Sequence, residues 1–456
     1  MKIKLIFCLT IIQSLLTFSQ ENVKLCGEYQ TSLNEFIANN KYIESEKTLQ
    51  LILKSCPSVN EDFYKNAEQI YLHNIEFSTT NESKIQVIKN LIKIYDGYDI
   101  KFPENKNGNA IKKALFIYDN KLAEKSIIFN IIDNFYNSKN ADFNNPRAFY
   151  IYFELYINEF KNSENANKTE DLISKYISIN DRNIDFQKSL AANINILRDK
   201  IKTSPLTDSL KIDLKFKTED LQAFELVQEA SKGLLEPYLT CENLKIYANK
   251  FFKSNANKDS WLKFFSSEMF NKGCYANEVF NKIVLKSNEI NPTTKTNFYL
   301  GYTEILKNDL PKAENYFIES VNLESNSLEK ANIYFTLANV VFGVNNNVKF
   351  VEYLKKSIAS DSNFAKPYLS LAQLYEANID KCTQNEFEKK AIYWLIIKNL
   401  ENAILAEPYL KTSLQKQISG FQQRLPTNET ISQLKMKGKI ITFGCFINES
   451  IAIPKS

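Results

Sequence analysis

Seven cysteines and one histidine carry most of the chemistry this sequence could perform: Cys8, Cys26, Cys56, Cys241, Cys274, Cys382, Cys445 and His73. A zinc site draws its ligands from closely spaced Cys and His pairs, and the chain has no Cys-x-x-Cys. His73 has no companion histidine and falls in a predicted helix, Asp62–Glu76, which reads as a satisfied or surface position rather than a catalytic base. No Gly-rich phosphate loop, Gly-x-Ser-x-Gly elbow or His-Glu-x-x-His is present. Carboxylate pairs such as Glu386 and Glu388 are two residues apart, which puts them on different faces of a helix. The expectation is a protein that is not an enzyme and uses no cofactor or metal, with an Asp/Glu-only glycosidase-like site as the remote alternative.

That leaves disulfide chemistry, which depends on compartment. Residues 1–19 carry Lys2 and Lys4, an apolar run from Leu5 to Leu16, and the small residues Thr17 and Ser19 at the positions a signal peptidase reads. The run is too short to span a bilayer, so a cleaved signal peptide is expected, with Gln20 at the new terminus. No other segment is apolar enough to be a transmembrane helix. Cleavage removes Cys8 and leaves six cysteines in an oxidising compartment. Cys26 and Cys56 are thirty residues apart and Cys241 and Cys274 thirty-three, each close to one helical hairpin. In an antiparallel hairpin the start of the first helix lies beside the end of the second. The spacing therefore predicts Cys26–Cys56 and Cys241–Cys274, and elimination gives Cys382–Cys445; buried free thiols are the alternative.

The elements that must position these cysteines are helices. Only 10 Gly and 11 Pro in 456 residues favour long helices over turn-rich sheets. The net charge of +4 loses Lys2 and Lys4 with the leader, and what remains is too small and too evenly spread for a nucleic-acid partner. Residues 20–167 read as degenerate helical repeats, with helices at Glu21–Asn39, Tyr42–Lys54, Asp62–Glu76, Ser83–Tyr95, Ala110–Tyr118, Glu124–Phe135 and Arg147–Glu159. The aromatic stripe of the last reads as core. Residues 168–237 read as one long helical hairpin, Glu170–Lys202 and Asp208–Leu235, with Leu190, Ile194, Leu197 and Ile201 along its first arm and the turn at Ser204-Pro205. Residues 238–425 return to repeats, with Trp261 as a buried anchor and an insertion, Asp380–Asn385, that carries Cys382. In the tail, 426–456, Lys439–Ile447 reads as a strand with Ile441, Phe443, Cys445 and Ile447 on one face and Ile451–Ile453 as its partner.

One stretch, Asn297–Asn326, carries a recognisable signature. Leu300-Gly301, Ala313, Phe317 and Ser320 fall at the small and large positions of a tetratricopeptide repeat (TPR), and the segment resembles that family. Leu337-Ala338 with Leu354 and Ser357, then Leu371-Ala372 with Tyr375, continue it. The resemblance implies an all-α, TPR-like helical-hairpin solenoid, to which the long central hairpin and the short C-terminal β segment are additions. It also implies a concave groove lined by the first helix of each unit. The carried-over positions are Lys295, Phe298 and Tyr302; Asn332, Phe335 and Asn339; and Lys366, Leu369 and Gln373. Chaperone-binding TPRs grip a C-terminal carboxylate with five residues. Here those positions hold Phe298, Tyr302, Thr336, Lys366 and Ser370, of which the lysine alone agrees.

The N-terminal Cys…Cys-Pro unit, the Tyr-Trp-Leu helix after Cys382 and the Phe-Gly-Cys-Phe-Ile-Asn end also resemble an exported TPR family of Gram-negative bacteria that has no settled activity. The resemblance implies an exported protein, periplasmic rather than secreted to the medium. The function expected is a scaffold holding a peptide segment or a partner helix in the groove. The alternative is a structural subunit of an envelope secretion or motility assembly, engaged through the central arm.

Overall fold

The computed structural model describes residues 24–56, 58–103, 108–138, 143–162, 168–203 and 207–454. The leader, Pro57 and the Ser204-Pro205 turn lie outside them. The fold is all-α and TPR-like, built from antiparallel helical hairpins with a two-stranded sheet near the C-terminus. It divides into two compact units, Met1–Tyr238 and Leu239–Ser456.

The first unit holds α1 (24–38), α2 (Tyr42–Ser55), α3 (Glu61–Glu76), α4 (Asn81–Lys101), α5 (Asn109–Asp119), α6 (Lys125–Asn137), α7 (Pro146–Asn162), α8 (Lys168–Thr203) and α9 (Asp208–Leu235). Helix starts are written in the sequence: the Asn60 side chain accepts from the Phe63 amide, and Thr80 from the Ser83 amide. Leu33, Leu49, Ile52, Phe63, Ile70 and Leu91 make one core among α1 to α4. Cys26 and Cys56 close the α1–α2 hairpin with Cα atoms 5.6 Å apart. The aromatic stripe of α7 is core, since Phe149, Tyr152 and Phe153 are fully buried. His73 is structural too, its ring stacked 3.7 Å from that of Tyr42.

The long hairpin is α8 and α9. Ile194 and Leu197 of α8 and Phe224 and Leu235 of α9 are buried, and α7 packs against its base. A polar layer sits inside it: the Asn183 amide donates to the Phe224 carbonyl (3.2 Å), and Gln187 bridges Asn183 (2.7 Å) and Gln228 (3.0 Å). Such a layer fixes the register of the two helices, because a slip would leave those groups unpaired.

The second unit contains α10 (Cys241–Asn255), α11 (Asp259–Asn271), α12 (Glu278–Ile290), α13 (Thr294–Leu306), α14 (Leu310–Leu323), α15 (Ser327–Phe342), α16 (Asn347–Ser360), α17 (Ala365–Ala377), the single turn α18 (Ile379–Cys382), α19 (Glu386–Ala406), α20 (Lys411–Gln422) and α21 (Asn428–Gln433). Helices α12 and α21 and the turn α18, which falls in the stretch read as an insertion, were not among those read from the sequence, and the hallmark repeat starts at Thr294, three residues before Asn297. Trp261 is buried, and Cys241–Cys274 closes α10 against α11 with a Cα separation of 5.5 Å.

Hairpins α13–α14 and α15–α16 repeat the same construction. Asn308 and Asn345 turn the chain at positive φ (58° and 60°), and the next residues, Asp309 and Asn346, cap the second helices. Ser320 Oγ donates to the Thr294 carbonyl (2.8 Å) and Ser357 Oγ to that of Ala331 (2.7 Å), tying the end of each second helix to the start of its first. At Gly301 a Cβ would stand 2.8 Å from the buried ring of Phe317, so only glycine permits this approach.

The hairpins are cross-linked by charge as well. Lys349 of α16 bridges Glu314 of α14 at 2.6 Å, and the Tyr353 hydroxyl donates to the same carboxylate. Burial pushes the Glu314 carboxyl up, but the bonds from Lys349 and Tyr353 outweigh it and hold the group below its ordinary 4.5. A lowered folded pKa means the unfolded chain binds more protons in acid. The stability is therefore complete above the ordinary carboxylate value and is lost as pH falls through the lowered one. Urea midpoints should show the gap between native protein and Glu314→Gln closing as pH drops below about 4.5; a gap that stays constant would remove this role.

The tail is a β-hairpin, β1 (Ile440–Phe443) against β2 (Glu449–Ala452), antiparallel with Ile441 opposite Ile451. The strand is shorter than the sequence reading. It stops at Phe443 because the chain turns at Cys445 and Asn448, both at positive φ, so Cys445 sits exposed in the turn and not on the buried face. Ile441, Phe443, Ile447 and Ile453 are buried in the core that α17 and α19 also line. Glu449 accepts from the Tyr375 hydroxyl (2.6 Å) and pairs with Lys355 (3.0 Å), and Cys382–Cys445 ties the turn to α18 (Cα separation 5.3 Å).

Candidate peptide-binding groove

The first helices of the three regular hairpins are α13, α15 and α17. On each, the positions singled out from the sequence stand at i, i+3 and i+7, which is one helical face. On α13 they are Lys295, Phe298 and Tyr302; on α15, Asn332, Phe335 and Asn339; on α17, Lys366, Leu369 and Gln373. The middle member is half-buried in every case and packs on the hydrophobic core, while Lys295, Asn339, Lys366 and Gln373 are exposed. Each face thus has an apolar centre, flanked by polar residues on α15 and α17 and by Lys295 and the aromatic Tyr302 on α13.

The aromatic members come together. Phe298 and Tyr302 have ring centroids 5.2 Å apart, and both rest edge-on against Phe317 at 5.4 and 5.8 Å. Two residues that the sequence reading missed complete the cluster. Phe270, at the end of α11, meets Tyr302 at 5.0 Å and Phe298 at 5.9 Å, and Tyr275 lies 5.8 Å from Tyr302. Tyr275 directly follows Cys274, so the Cys241–Cys274 bond pins the loop that delivers it; this was the available signal. Phe270, Tyr275, Phe298 and Tyr302 are all half-buried, each leaving part of a ring to solvent. Burial, and then the neighbouring Tyr275, push the Tyr302 phenol up, so it stays neutral and available as a donor.

A second small cluster forms further along. Phe335 packs edge-on to Phe364 at 5.6 Å, and the Lys366 ammonium lies over the Phe364 ring at 5.9 Å. Polar members contribute less uniformly. The Asn332 amide donates to the Leu328 carbonyl of its own helix (3.0 Å), and the Thr336 hydroxyl to the Asn332 carbonyl (2.9 Å). Both have therefore spent hydrogen-bonding capacity on the backbone. A carboxylate grip built from Thr336 and Lys366 is weakened because the Thr336 hydroxyl is already donating to the backbone, and the aromatic surface is the stronger feature.

Other sites offer less. A cleft of about 570 Å³ in the first unit is lined by Tyr136, Ser178, Arg182, Asp185 and Phe186, but Tyr136 and Ser178 bond each other (2.9 Å) and Arg182 donates to the Tyr136 carbonyl (3.4 Å). Among the described residues no group of three or more His, Cys, Asp or Glu side chains is placed to hold a metal ion, and no helix is long and apolar enough to cross a membrane. Glu386 and Glu388 serve different partners: the first pairs with Lys389 (2.9 Å), and the second accepts from the Gln384 amide (2.6 Å).

No family model and no curated protein matches this sequence. Among solved structures it is similar to the APC/C hetero-tetramer Cut9–Hcn1, at 13% identity over 85% of this chain and 74% of that one, with a TM-score of 0.29. It is also similar to yeast Tom70, at 13% identity over 90% of this chain and 99% of that one, with a TM-score of 0.23. Neither likeness is close enough to bring a partner to this chain.

Proposed function

We propose that this protein is a non-catalytic interaction scaffold of the cell envelope, periplasmic in location, that holds a peptide segment or a partner helix across α13, α15 and α17. The observation that carries this reading is the thrice-repeated face described above, with its half-buried Phe298, Phe335 and Leu369 and, beside them, the exposed Lys295, Asn339, Lys366 and Gln373. Aromatic rings give contact area at low entropic cost, and the flanking Lys295 and Lys366 favour a segment with acidic character. Three disulfides accord with an exported protein, since such bonds persist in oxidising compartments. The second reading, engagement through the long hairpin, is favoured by a separate observation, the exposed apolar side chains of α9.

Affinity capture from the envelope fraction tests the groove. The native chain should recover a partner that the Lys295→Glu, Lys366→Glu double variant recovers at least about tenfold less well, a change of roughly 1.4 kcal/mol. Both lysines are exposed, so thermal unfolding should not move. Equal recovery by the two proteins would rule the groove out.

A further inference from the structure

Helix α9 carries two apolar seams, and the hairpin uses one of them. Leu210, Leu214, Leu221 and Phe224 belong to a stripe with alternating steps of four and three, and all of these are buried or half-buried. Two residues further on, the same rhythm recurs at 212, 216, 219, 223, 226 and 230, occupied by Ile, Phe, Glu, Ala, Leu and Ala. On this outer seam Ile212 is 53% exposed, Phe216 60% and Leu226 66%. Single exposed apolar residues are ordinary, but three large ones aligned with two alanines on one face of a long helix are a surface awaiting a neighbour. The rhythm also names the neighbour's shape, because a four-three seam is filled by the knobs of another α-helix.

Charge decides whose helix it is. Glu219 interrupts the seam at its middle, Asp220 flanks it there, and Asp213 lies one heptad earlier on the same flank. Set parallel, a second copy of α9 would face Glu219 with Glu219 within the seam; set antiparallel, it would face the Asp213 and Asp220 flank with the same flank of the copy. Among the described residues Glu219 pairs with Lys215 (3.8 Å) and Asp213 with Lys217 (3.1 Å), both within α9, and such surface pairs within one helix do little to offset that repulsion. We propose that the outer seam of α9 is a docking site for an amphipathic helix of a different protein, apolar in a four-three pattern and carrying lysine or arginine, seven residues apart, on the flank that meets Asp213 and Asp220. It is a second binding surface, independent of the α13–α15–α17 groove.

The test uses the full mature chain and two synthetic four-heptad helical peptides with leucine at the seam positions, one with lysine and one with glutamate on the flanks. Fluorescence anisotropy should give the lysine peptide at least about tenfold tighter binding. Glu219→Lys with Asp220→Lys should reverse that preference, which no loss of folding could do. Ile212→Ser, Phe216→Ser and Leu226→Ser together should abolish binding with an unchanged circular-dichroism melt, whereas Lys295→Glu with Lys366→Glu should leave it intact. Failure of the chain to bind either peptide, or binding indifferent to the charge swap, would overturn the proposal. So would sedimentation showing a dimer that Phe216→Glu dissolves, since the seam would then belong to a second copy.

Discussion

Replacing Phe317 with alanine is expected to lower the stability of the second unit by about 3–5 kcal/mol, the range for a fully buried aromatic side chain. Phe317 fills the space that Gly301 leaves and supports Phe298 and Tyr302 from below. Collapse is hindered because these rings are held on their far side by Phe270. Gly301→Ala gives the complementary result. Overpacking against the ring should cost roughly 1–3 kcal/mol, and alanine's better helix propensity returns only about 1. In the Phe317→Ala background the clash is gone, and Gly301→Ala should become stabilising. Urea unfolding of the four proteins would show this change of sign. Additive effects would mean that the glycine and the phenylalanine do not share one gap.

The second large effect is expected from the tail. Converting Cys382 and Cys445 to serine opens a loop with a sequence separation of 63. In the chain-entropy account this removes roughly 4 kcal/mol, through the unfolded rather than the folded chain. The consequence is local first. A two-stranded hairpin is marginal by itself, so β1–β2 depends on the burial of Ile441, Phe443, Ile447 and Ile453 and on the Glu449 contacts with Tyr375 and Lys355. Limited proteolysis under reducing conditions should cut within the tail before the helices. Equal urea midpoints with and without reductant would show that the bond does not matter to stability.

What could be read from the sequence was whatever is fixed by local spacing. The Gly301 and Phe317 pair is legible because a helical hairpin has one length and one point of closest approach. The Cys26–Cys56 and Cys241–Cys274 pairs are legible for the same reason, whereas Cys382–Cys445 followed by elimination. Helix α12 escaped notice although Val279, Phe280, Ile283 and Val284 keep a helical step, because it lacks the Gly/Ala marker that identified its neighbours. The strand was drawn too long because alternation continues through Cys445, whereas the left-handed backbone at Cys445 and Asn448 makes the turn between β1 and β2. Within the candidate groove, the positions on α13, α15 and α17 follow from repeat register. Phe270 and Tyr275 could not be found that way, since they reach Tyr302 from the preceding hairpin and its disulfide loop. Nor does spacing reveal that the Asn332 amide is engaged by its own helix.

The most direct test of the scaffold reading is photo-crosslinking in intact cells from a reactive residue placed at Tyr302, compared with one at Lys188, an exposed residue on α8. The account predicts that Tyr302 captures a defined segment of one envelope protein, that Lys188 does not, and that Lys295→Glu with Lys366→Glu removes the product. A Tyr302 yield no higher than that at Lys188, or a product unchanged by the double substitution, would contradict it.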